Sequence, residues 1–316
     1  MDELKVFTGN AHPELARKVV DYMGIPLGKA EVFQFANENI FVRILENVRS
    51  RDTFVIQPLA SPVNQNLVEL LIMLDALKRA SAERITAVIP YYAYGRSDRK
   101  DQPRVPITAR LLADLLTVAG ASRVLTVDLH SAQIQGFFSI PVDELTGLYL
   151  LVDYFKKKPF VNDMVVVAAD IGISKRAKAV ADSLRAPLAI MEKHRTGNDD
   201  SSQILMVIGD VAGKVALVVD DEISTAGTLV NNVTALMEKG AKEIYFCATH
   251  PIFSGPAVTR IAASPVKEVV VTDSVPVNAG KKIGKVTVLS LAPLLGEAIR
   301  RIHTGQSVGE LFNGGK

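Results

Sequence analysis

The chain has no tryptophan and only one cysteine among its 316 residues. A single cysteine cannot close an intrachain disulfide, and no group of cysteines and histidines has the spacing of a zinc site. Cys247 lies inside the apolar run 244–248, which predicts a small buried side chain rather than a reactive thiol. A reducing compartment is therefore expected.

Long apolar runs and an excess of charge of one sign are also missing. No apolar stretch approaches the roughly 20 residues that span a bilayer, and the first residues do not have the pattern of a signal peptide. The 36 basic and 34 acidic residues leave a formal charge of +2, which gives no reason to expect a nucleic-acid or acidic-membrane partner. We therefore expect a cytoplasmic protein that binds neither nucleic acid nor membrane.

Short segments rich in β-branched residues alternate with helical patterns, which predicts an α/β fold with parallel, doubly wound sheets. The predicted strands are 5–7, 53–57, 85–90, 123–128, 165–170, 215–220, 243–248 and 269–272. The predicted helices are 13–23, 63–80, 107–119, 174–184, 228–239 and 292–302. The length of the chain favours two domains.

A possible internal repeat agrees with two domains. Gly120 precedes a predicted strand that leads into His130, and Gly240 precedes one that leads into His250, at a constant offset of 120 residues. This match indicates one fold used twice, with an enlarged loop in the first copy, or else a coincidence between generic helix–strand units. The predicted domains are 1–145 and 146–290, and a C-terminal helix within 291–316 is expected to pack back on the first domain.

The segment 215–228 says most about function. Its apolar strand pattern ends in Asp220 and Asp221, and a loop of small and hydroxylated residues then leads into a helix. In a parallel sheet this junction lies at the carboxyl edge, where ligands bind. The free N–H groups at the helix start favour a phosphate, and the carboxylates can hold ribose hydroxyls or a hydrated Mg²⁺. The alternative is a buried strand that ends in an acidic turn.

The segment 91–104 is a second candidate, because three tyrosines are followed by dense charge. The cations Arg96, Arg99, Lys100 and Arg104 can contact a polyphosphate, and the tyrosines can stack on a base or pack beneath the loop. The segment is therefore a candidate mobile lid. The alternative is a solvated, charged surface.

Asp128 and His130 follow another predicted strand. Since one residue separates them, they lie on one face if the backbone stays extended. His130 is then a candidate ligand of a divalent metal or of a phosphate, and the alternative is a structural histidine.

Two further junctions carry charge. Asp170 and Gly172 follow a third strand, where the glycine permits close backbone approach and the carboxylate is a metal candidate. Lys193 and Arg195 follow the apolar run 188–191 and can neutralise a transferring phosphoryl group. The alternative for Asp170 and Gly172 is an ordinary strand–helix turn, and the alternative for Lys193 and Arg195 is a pair of surface cations.

Together these motifs resemble the ribose-phosphate pyrophosphokinase family, also called phosphoribosyl pyrophosphate synthetases, over nearly the whole chain. The resembling segments are 35–39, 61–80, 91–100, 128–138, 170–176, 193–195, 220–228 and 249–257. The resemblance implies two tandem type I phosphoribosyltransferase-like domains, each a mainly parallel doubly wound sheet. It also implies Mg²⁺-dependent transfer of pyrophosphate from ATP to ribose 5-phosphate, leaving AMP, by a homohexamer or other homo-oligomer.

The resemblance further implies roles for individual residues. The catalytic residues would be Lys193, Arg195 and Arg99. The ATP site would contain Phe35, Asn37 and Asn39 from a neighbouring subunit, with Arg96, Ser97, Asp98, Arg99 and His130. The ribose 5-phosphate site would contain Asp220, Asp221, Ser224, Thr225, Ala226, Gly227 and Thr228. Asp170, Ile171, Gly172 and Ile173 would form the pyrophosphate loop, and Mg²⁺ would contact His130, Asp170, Asp220 and Asp221.

Four positions depart from the common family pattern: Ser224 replaces a second acid, Ile173 a glycine, Asn39 a glutamate and Ser97 a glutamine. An active pyrophosphokinase is nevertheless the main hypothesis, because the acidic pair and the catalytic cations are present. The second hypothesis is a catalytically weak homologue that regulates a true synthetase, and it rests on Ser224 and Ile173. The third is a phosphoribosyltransferase, which the repeat and the charged lid disfavour because such an enzyme needs one domain and no adenine site.

Overall fold

The computed structural model describes residues 3–195 and 203–313, without the side chains of 193–195, 203–205, 312 and 313. The chain divides into two compact units. Unit 1 comprises Met1–Thr146, Ser274–Pro276 and Ser290–Lys316, and unit 2 comprises Gly147–Asp273 and Val277–Leu289.

The elements follow an alternating order in both halves of the chain. The first half contains β1 (Leu4–Thr8), α1 (Pro13–Met23), β2 (Ala30–Gln34), β3 (Ile40–Ile44), β4 (Asp52–Ile56), α2 (Val63–Arg79), β5 (Arg84–Ile89), α3 (Thr108–Ala119), β6 (Arg123–Val127) and β7 (Val142–Leu145). The second half contains α4 (Leu148–Lys156), β8 (Met164–Ala168), α5 (Ser174–Leu184), β9 (Leu188–Arg195), β10 (Gln203–Ile208), β11 (Val215–Ile223), α6 (Gly227–Glu238), β12 (Glu243–Pro251), α7 (Ala257–Ala263), β13 (Glu268–Thr272), β14 (Val286–Leu289) and α8 (Ala292–Thr304).

Unit 1 is built on a parallel sheet with the strand order β1-β4-β5-β6-β7. The strands β2 and β3 form a separate antiparallel hairpin. Helix α8 packs against α1, where a Cβ on Gly296 would lie 2.6 Å from the ring of Tyr22. The Nδ1 atom of His303 lies 2.8 Å from Oδ2 of the buried Asp52, so the end of α8 is also tied to β4.

Unit 2 is built on a seven-stranded sheet with the order β10-β9-β8-β11-β12-β13-β14. Within the described residues of this sheet, β10 pairs antiparallel with β9 and the other neighbouring strands pair in parallel. Each unit has its own apolar core, and the strands β4 and β8 are buried at every residue. The fully apolar runs of the sequence are therefore central strands covered on both faces. The predicted α/β class with mainly parallel sheets is confirmed.

The repeat is present, but the 120-residue offset is wrong. Unit 1 runs β1-α1-β2-β3-β4-α2-β5-α3-β6-β7, and unit 2 runs β8-α5-β9-β10-β11-α6-β12-α7-β13-β14, with the same order of corresponding strands across the sheet. The partner of α3 is thus α7, whereas the offset matched α3 with α6. Gly120 and Gly240 misled the match because both follow a helix end at positive φ, which is a general use of glycine.

All predicted helices and strands exist. The bounds of 13–23 and 174–184 are as predicted, and those of the other elements differ by one to three residues at one end or both. Predictions missed α4, α7 and the strands β2, β3, β7, β9, β10 and β14. Strand β11 extends to Ile223, so Asp220 and Asp221 lie within the strand and not after it, as was expected. Cys247 is buried as predicted, and burial raises the pKa of its thiol. Among the described residues, no helix combines the length and apolar character needed to cross a membrane.

Candidate active site

The acidic pair lies at the carboxyl edge of the unit 2 sheet. Strands β8 and β11 are neighbours, and Val219 pairs with Ala168. Asp220 follows Val219 directly, and Asp170 lies two residues beyond Ala168, so the paired strands bring both carboxylates to one edge. The backbone N–H of Asp221 donates to Oδ1 of Asp220 at 2.9 Å, which holds the Asp220 carboxylate against its own strand.

Excess negative charge is concentrated at this edge. The pKa of Asp220 is raised well above its ordinary value, chiefly by burial and then by the neighbouring carboxylates of Asp221 and Asp170. The donors are all carboxylate oxygens, which suit Mg²⁺. A bound cation would relieve the repulsion between them, so the residues fit this metal.

The structure contains no complete cage for a metal. Within 3–195 and 203–313, no three or more histidine, cysteine, aspartate or glutamate side chains are grouped closely enough to hold an ion. Mg²⁺ is commonly bound by one or two carboxylates together with waters and substrate phosphates. The acidic pair can therefore supply only part of a coordination sphere, and a phosphorylated substrate would have to supply more.

The loop that follows the acidic pair opens helix α6. Ala226 adopts a left-handed conformation with φ +58°, and α6 begins at Gly227 without a side-chain cap. The first N–H groups of an α-helix have no partner within the helix and can bind an anion. The N–H groups of Phe253 and Ser254 donate to the carbonyls of Ile223 and Ser224, so the entrance of this loop is fixed.

The loop 170–173 lies beside it, at the end of β8. Oδ1 of Asp170 accepts a hydrogen bond from the N–H of Ile173 at 3.1 Å, and a Cβ on Gly172 would lie 3.1 Å from the same oxygen. The buried Asn232 on α6 donates through Nδ2 to the carbonyl of Ala169 at 3.0 Å. Asn232 was missed from the sequence, because an asparagine within a helical pattern gives no local signal of a buried contact.

Lys193 and Arg195 lie at the C-terminal end of β9. Their backbones pair with Leu205 and Gln203 of β10, respectively. They are therefore strand residues, not loop residues after a short strand. Their side chains fall outside the described part of the structure, so their catalytic role stays a prediction.

The lid candidate in unit 1 is a long loop between β5 and α3, covering residues 90–107. Tyr92 is buried beneath it, donates to the carbonyl of Ala109 at 2.9 Å, and packs on Phe138. For Tyr92 the packing alternative is therefore correct. The N–H of Ala109 donates to the carbonyl of Ser97, which closes the base of the loop.

The charged tip of the lid is exposed. This exposed set comprises Arg96, Arg99, Lys100 and Arg104, and Asp98 is partly buried. Arg99 forms no ion pair with any described residue, so its charge is available to a ligand. The arrangement fits a polyphosphate contact.

His130 lies beside the lid. A Cβ on Gly95 would lie 3.2 Å from Cβ of His130, so the glycine leaves room for the histidine. The expected shared face of Asp128 and His130 is wrong: β6 ends at Val127, Asp128 has φ +41° and is buried, and His130 is exposed. The positive φ turns the chain out of the extended conformation in which alternate residues share a face.

Phe35, Asn37 and Asn39 form the tip of the β2–β3 hairpin. The N–H of Phe35 donates to the carbonyl of Asn39, and Oδ1 of Asn37 accepts from the N–H of Asn39. The ring of Phe35 is 49% exposed and contacts Phe33 edge-on, with 5.0 Å between the ring centroids. The hairpin thus presents an exposed aromatic tip, as a contribution to another subunit would require.

The predicted residues therefore fall into three groups. Asp170, Asp220 and Asp221 lie together with the two loops of unit 2. His130 and the lid lie together in unit 1. The aromatic tip belongs to the hairpin of unit 1.

Comparisons with known proteins agree along the whole chain. Residues 4–120 match the family model for the N-terminal domain of ribose phosphate pyrophosphokinase, and residues 199–313 match that of the phosphoribosyl synthetase-associated domain. The ribose-phosphate pyrophosphokinase of Caldanaerobacter subterraneus subsp. tengcongensis is 54% identical over 311 residues, which are 98% of each chain. That of Bacillus caldolyticus is 50% identical over 311 residues, again 98% of each chain.

A solved structure supports the same relationship. The phosphoribosylpyrophosphate synthetase from Mycobacterium smegmatis superposes with a TM-score of 0.91 at 45% sequence identity, covering 96% of this chain and 100% of that chain.

Proposed function

Because this chain belongs to the ribose-phosphate pyrophosphokinase family, we propose that it transfers the pyrophosphoryl group of ATP to the anomeric hydroxyl of ribose 5-phosphate, with Mg²⁺ as cofactor. The products are 5-phosphoribosyl 1-pyrophosphate and AMP. The observation that carries the proposal is that Asp220 and Asp221 lie near the end of β11 and that only a short loop, 224–226, separates this strand from the uncapped start of α6. One short segment thereby offers acceptors for sugar hydroxyls and N–H donors for a phosphate.

The reaction asks the protein chiefly to align two substrates and to stabilise charge. The oxygen of the anomeric hydroxyl forms a bond to the β-phosphorus of ATP. The bond from that phosphorus to the α,β-bridging oxygen breaks, AMP leaves, and the hydroxyl proton is released. No covalent intermediate with the protein is needed.

The residues of unit 2 bind the sugar in this proposal. Asp220 and Asp221 accept hydrogen bonds from the ribose hydroxyls, and the loop from Ser224 to Thr228 binds the 5-phosphate through its N–H groups. Mg²⁺ held at the carboxylates of Asp220, Asp221 or Asp170 would offset the negative charge of the phosphates. The loop 170–173 receives the transferred pyrophosphate.

The cations act on the transferring group. Lys193 and Arg195 stabilise the charge that develops on the phosphoryl oxygens, and Arg99 of the lid contacts the ATP phosphates. His130, beside the lid, would contact the metal or a phosphate. Phe35, at the tip of the hairpin, covers the adenine ring of the ATP that is bound to a neighbouring subunit.

Phosphorus NMR tests the reaction. With ATP, ribose 5-phosphate and Mg²⁺, we expect AMP to appear together with a new diphosphoryl sugar signal, and neither to appear when ribose 5-phosphate is omitted. ADP in place of AMP would indicate transfer of a single phosphoryl group and contradict the proposal. No turnover by folded protein would favour the regulatory homologue, which nothing in the comparisons supports.

We further propose that the chain works in the cytoplasm as a homohexamer or other homo-oligomer. The exposed aromatic tip at Phe35 supports assembly, since apolar surface of this kind is normally covered. Light scattering coupled to gel filtration tests it. A monomer at micromolar concentration that is fully active would contradict the assembly.

A further inference from the structure

We infer that Arg260, on helix α7, is a positioning residue for the loop that binds the 5-phosphate; this inference rests on the proposed function. The Nη1 atom of Arg260 donates to the carbonyl of Thr225 at 3.0 Å. The same atom lies 3.8 Å from the place that a Cβ on Gly227 would occupy. One guanidinium therefore fixes the middle of the loop and reaches the residue at which α6 begins.

The loop needs such a support. The residue between the two contacts, Ala226, adopts a left-handed conformation that is unfavourable for a residue with a side chain. No side chain caps the start of α6, so a cap does not stabilise the loop at this point. The bonds from Phe253 and Ser254 fix only the loop entrance, so Arg260 supplies the contact closest to the helix start.

The contacts come from one segment that backs the loop. Phe253, Ser254 and Arg260 all lie between the end of β12 and the middle of α7. The segment is itself anchored, because Ala257 and Ile261 of α7 are buried in the apolar core of unit 2. The loop that receives the sugar phosphate is thus held from behind by a short helix, not only by its own sequence.

The charge of Arg260 is available to a ligand. Its guanidinium forms no ion pair with a carboxylate anywhere in the described ranges. A cation beside a helix start adds to the attraction that the free N–H groups exert on a dianion. Arg260 therefore favours a phosphorylated sugar over the unphosphorylated one, and it does so without contacting the reacting atoms.

The test compares Arg260→Gln and Arg260→Lys with wild-type protein. Isothermal titration measures binding of ribose 5-phosphate, and initial rates with each substrate varied give KM and kcat. We expect Arg260→Gln to weaken ribose 5-phosphate binding about tenfold, because the variant loses the charge-assisted hydrogen bond to the carbonyl of Thr225. KM for ATP and kcat should change less than threefold. Arg260→Lys keeps the charge and should recover part of the affinity.

Lys285→Gln is the matched control. Lys285 donates to the carbonyls of Ala262 and Ser264 at 3.0 and 2.6 Å, so it anchors the opposite end of α7 with the same charge. We expect wild-type affinity for ribose 5-phosphate in this variant. Raising the ionic strength should narrow the difference between wild type and Arg260→Gln, because salt screens an exposed charge.

The outcomes separate this inference from the proposed function. Wild-type affinity in Arg260→Gln overturns the inference, and so does an equal loss in Lys285→Gln or an equal rise in both KM values. A wild-type protein that does not bind ribose 5-phosphate overturns the proposed function instead. A selective loss of ribose 5-phosphate affinity, with an unchanged melting temperature, supports the positioning role.

Discussion

The β1–α1 junction of unit 1 and the β8–α5 junction of unit 2 hold the same place in the same topology, but different side chains reach them. In unit 1 the N–H groups of Asn10 and Ala11 donate to Oε1 of Glu69 and Oε1 of Gln57, at 2.5 and 3.1 Å. Glu69 and Gln57 are both buried, and Gln57 also donates to Glu69. The protein's own oxygens thus occupy the N–H groups of this junction.

In unit 2, helix α6 corresponds to α2 of unit 1, but a different side chain of this helix contacts the junction. Asn232 of α6 donates to the carbonyl of Ala169 and leaves the N–H groups of the loop alone. Those of Ile171 and Gly172 have no acceptor within the described residues. Glu69 and Gln57 therefore close the junction of unit 1, whereas Asn232 leaves the junction of unit 2 open to an anion. This difference explains how two copies of one fold can have different functions.

The most damaging change should be Lys193→Ala, because it removes a cation from the open, catalytic unit. A positioned cation on a transferring phosphoryl group is worth roughly 3–4 kcal/mol, so kcat should fall about 100- to 1,000-fold. Steady-state rates with saturating ATP and ribose 5-phosphate measure it. Near-normal turnover would refute the catalytic role, and Lys214→Ala, which removes a half-buried cation paired with Asp210, is the control.

A second change tests what unit 1 contributes. Arg99→Ala removes the unpaired guanidinium of the lid, and kcat/KM for ATP should fall roughly 10- to 100-fold if the lid closes over the phosphates. Binding of ribose 5-phosphate, measured by titration without ATP, should stay unchanged. Equal loss for both substrates would mean that the lid does not act on ATP in particular.

Glu69→Ala tests whether Glu69 stabilises the closed junction of unit 1. It leaves the N–H of Asn10 and the amide of Gln57 without their buried acceptor, which should cost about 2–3 kcal/mol of unfolding free energy. Urea denaturation followed by circular dichroism measures the loss, and Glu69→Gln, which keeps one acceptor oxygen, should cost less.

The same variants show whether the closed junction matters for catalysis. KM for ribose 5-phosphate should not change in Glu69→Ala, because the sugar binds in unit 2. Asn232→Ala, the matched change in unit 2, removes a single bond to Ala169 and should cost less stability, about 1 kcal/mol. A larger stability loss in Asn232→Ala than in Glu69→Ala would contradict the view that the junction of unit 1 is held more firmly by its side chains than the junction of unit 2.

The sequence predicted the parts of this fold that have strong local patterns. Buried strands such as β8 are continuous apolar runs, and the acids and glycines that end them mark the ligand edge. The hairpin β2–β3 was missed because its strands are half exposed and lack a clear alternation. The turn at Asp128 was missed because aspartate adopts positive φ more often than most residues but does not require it, and the apolar run before it predicted a continuing strand.

The supporting residues of the site had even less signal. Glu69, Asn232 and Arg260 are ordinary polar residues within helical patterns, and their roles arise from partners 35 to 63 residues away in the chain. Such long-range contacts depend on how the helices pack on the sheet. The candidate ligand residues could therefore be named from the sequence, while the groups that hold their loops could be found only from the structure.

The smallest effect should come from Ser224→Asp, which adds an acid to the open unit at the start of the phosphate loop. The carbonyl of Ser224 is already fixed by the N–H of Ser254 at 2.9 Å, so the substitution should not disturb the backbone. A carboxylate there gives the ribose hydroxyls another acceptor but also repels the phosphate, and we expect affinity for ribose 5-phosphate to stay within about threefold of wild type or to tighten. Titration with ribose 5-phosphate in the presence of Mg²⁺ decides it, with Ser224→Asn as the uncharged control. A collapse of affinity in Ser224→Asp alone would mean that this loop binds the sugar phosphate in a geometry that a second acid cannot enter.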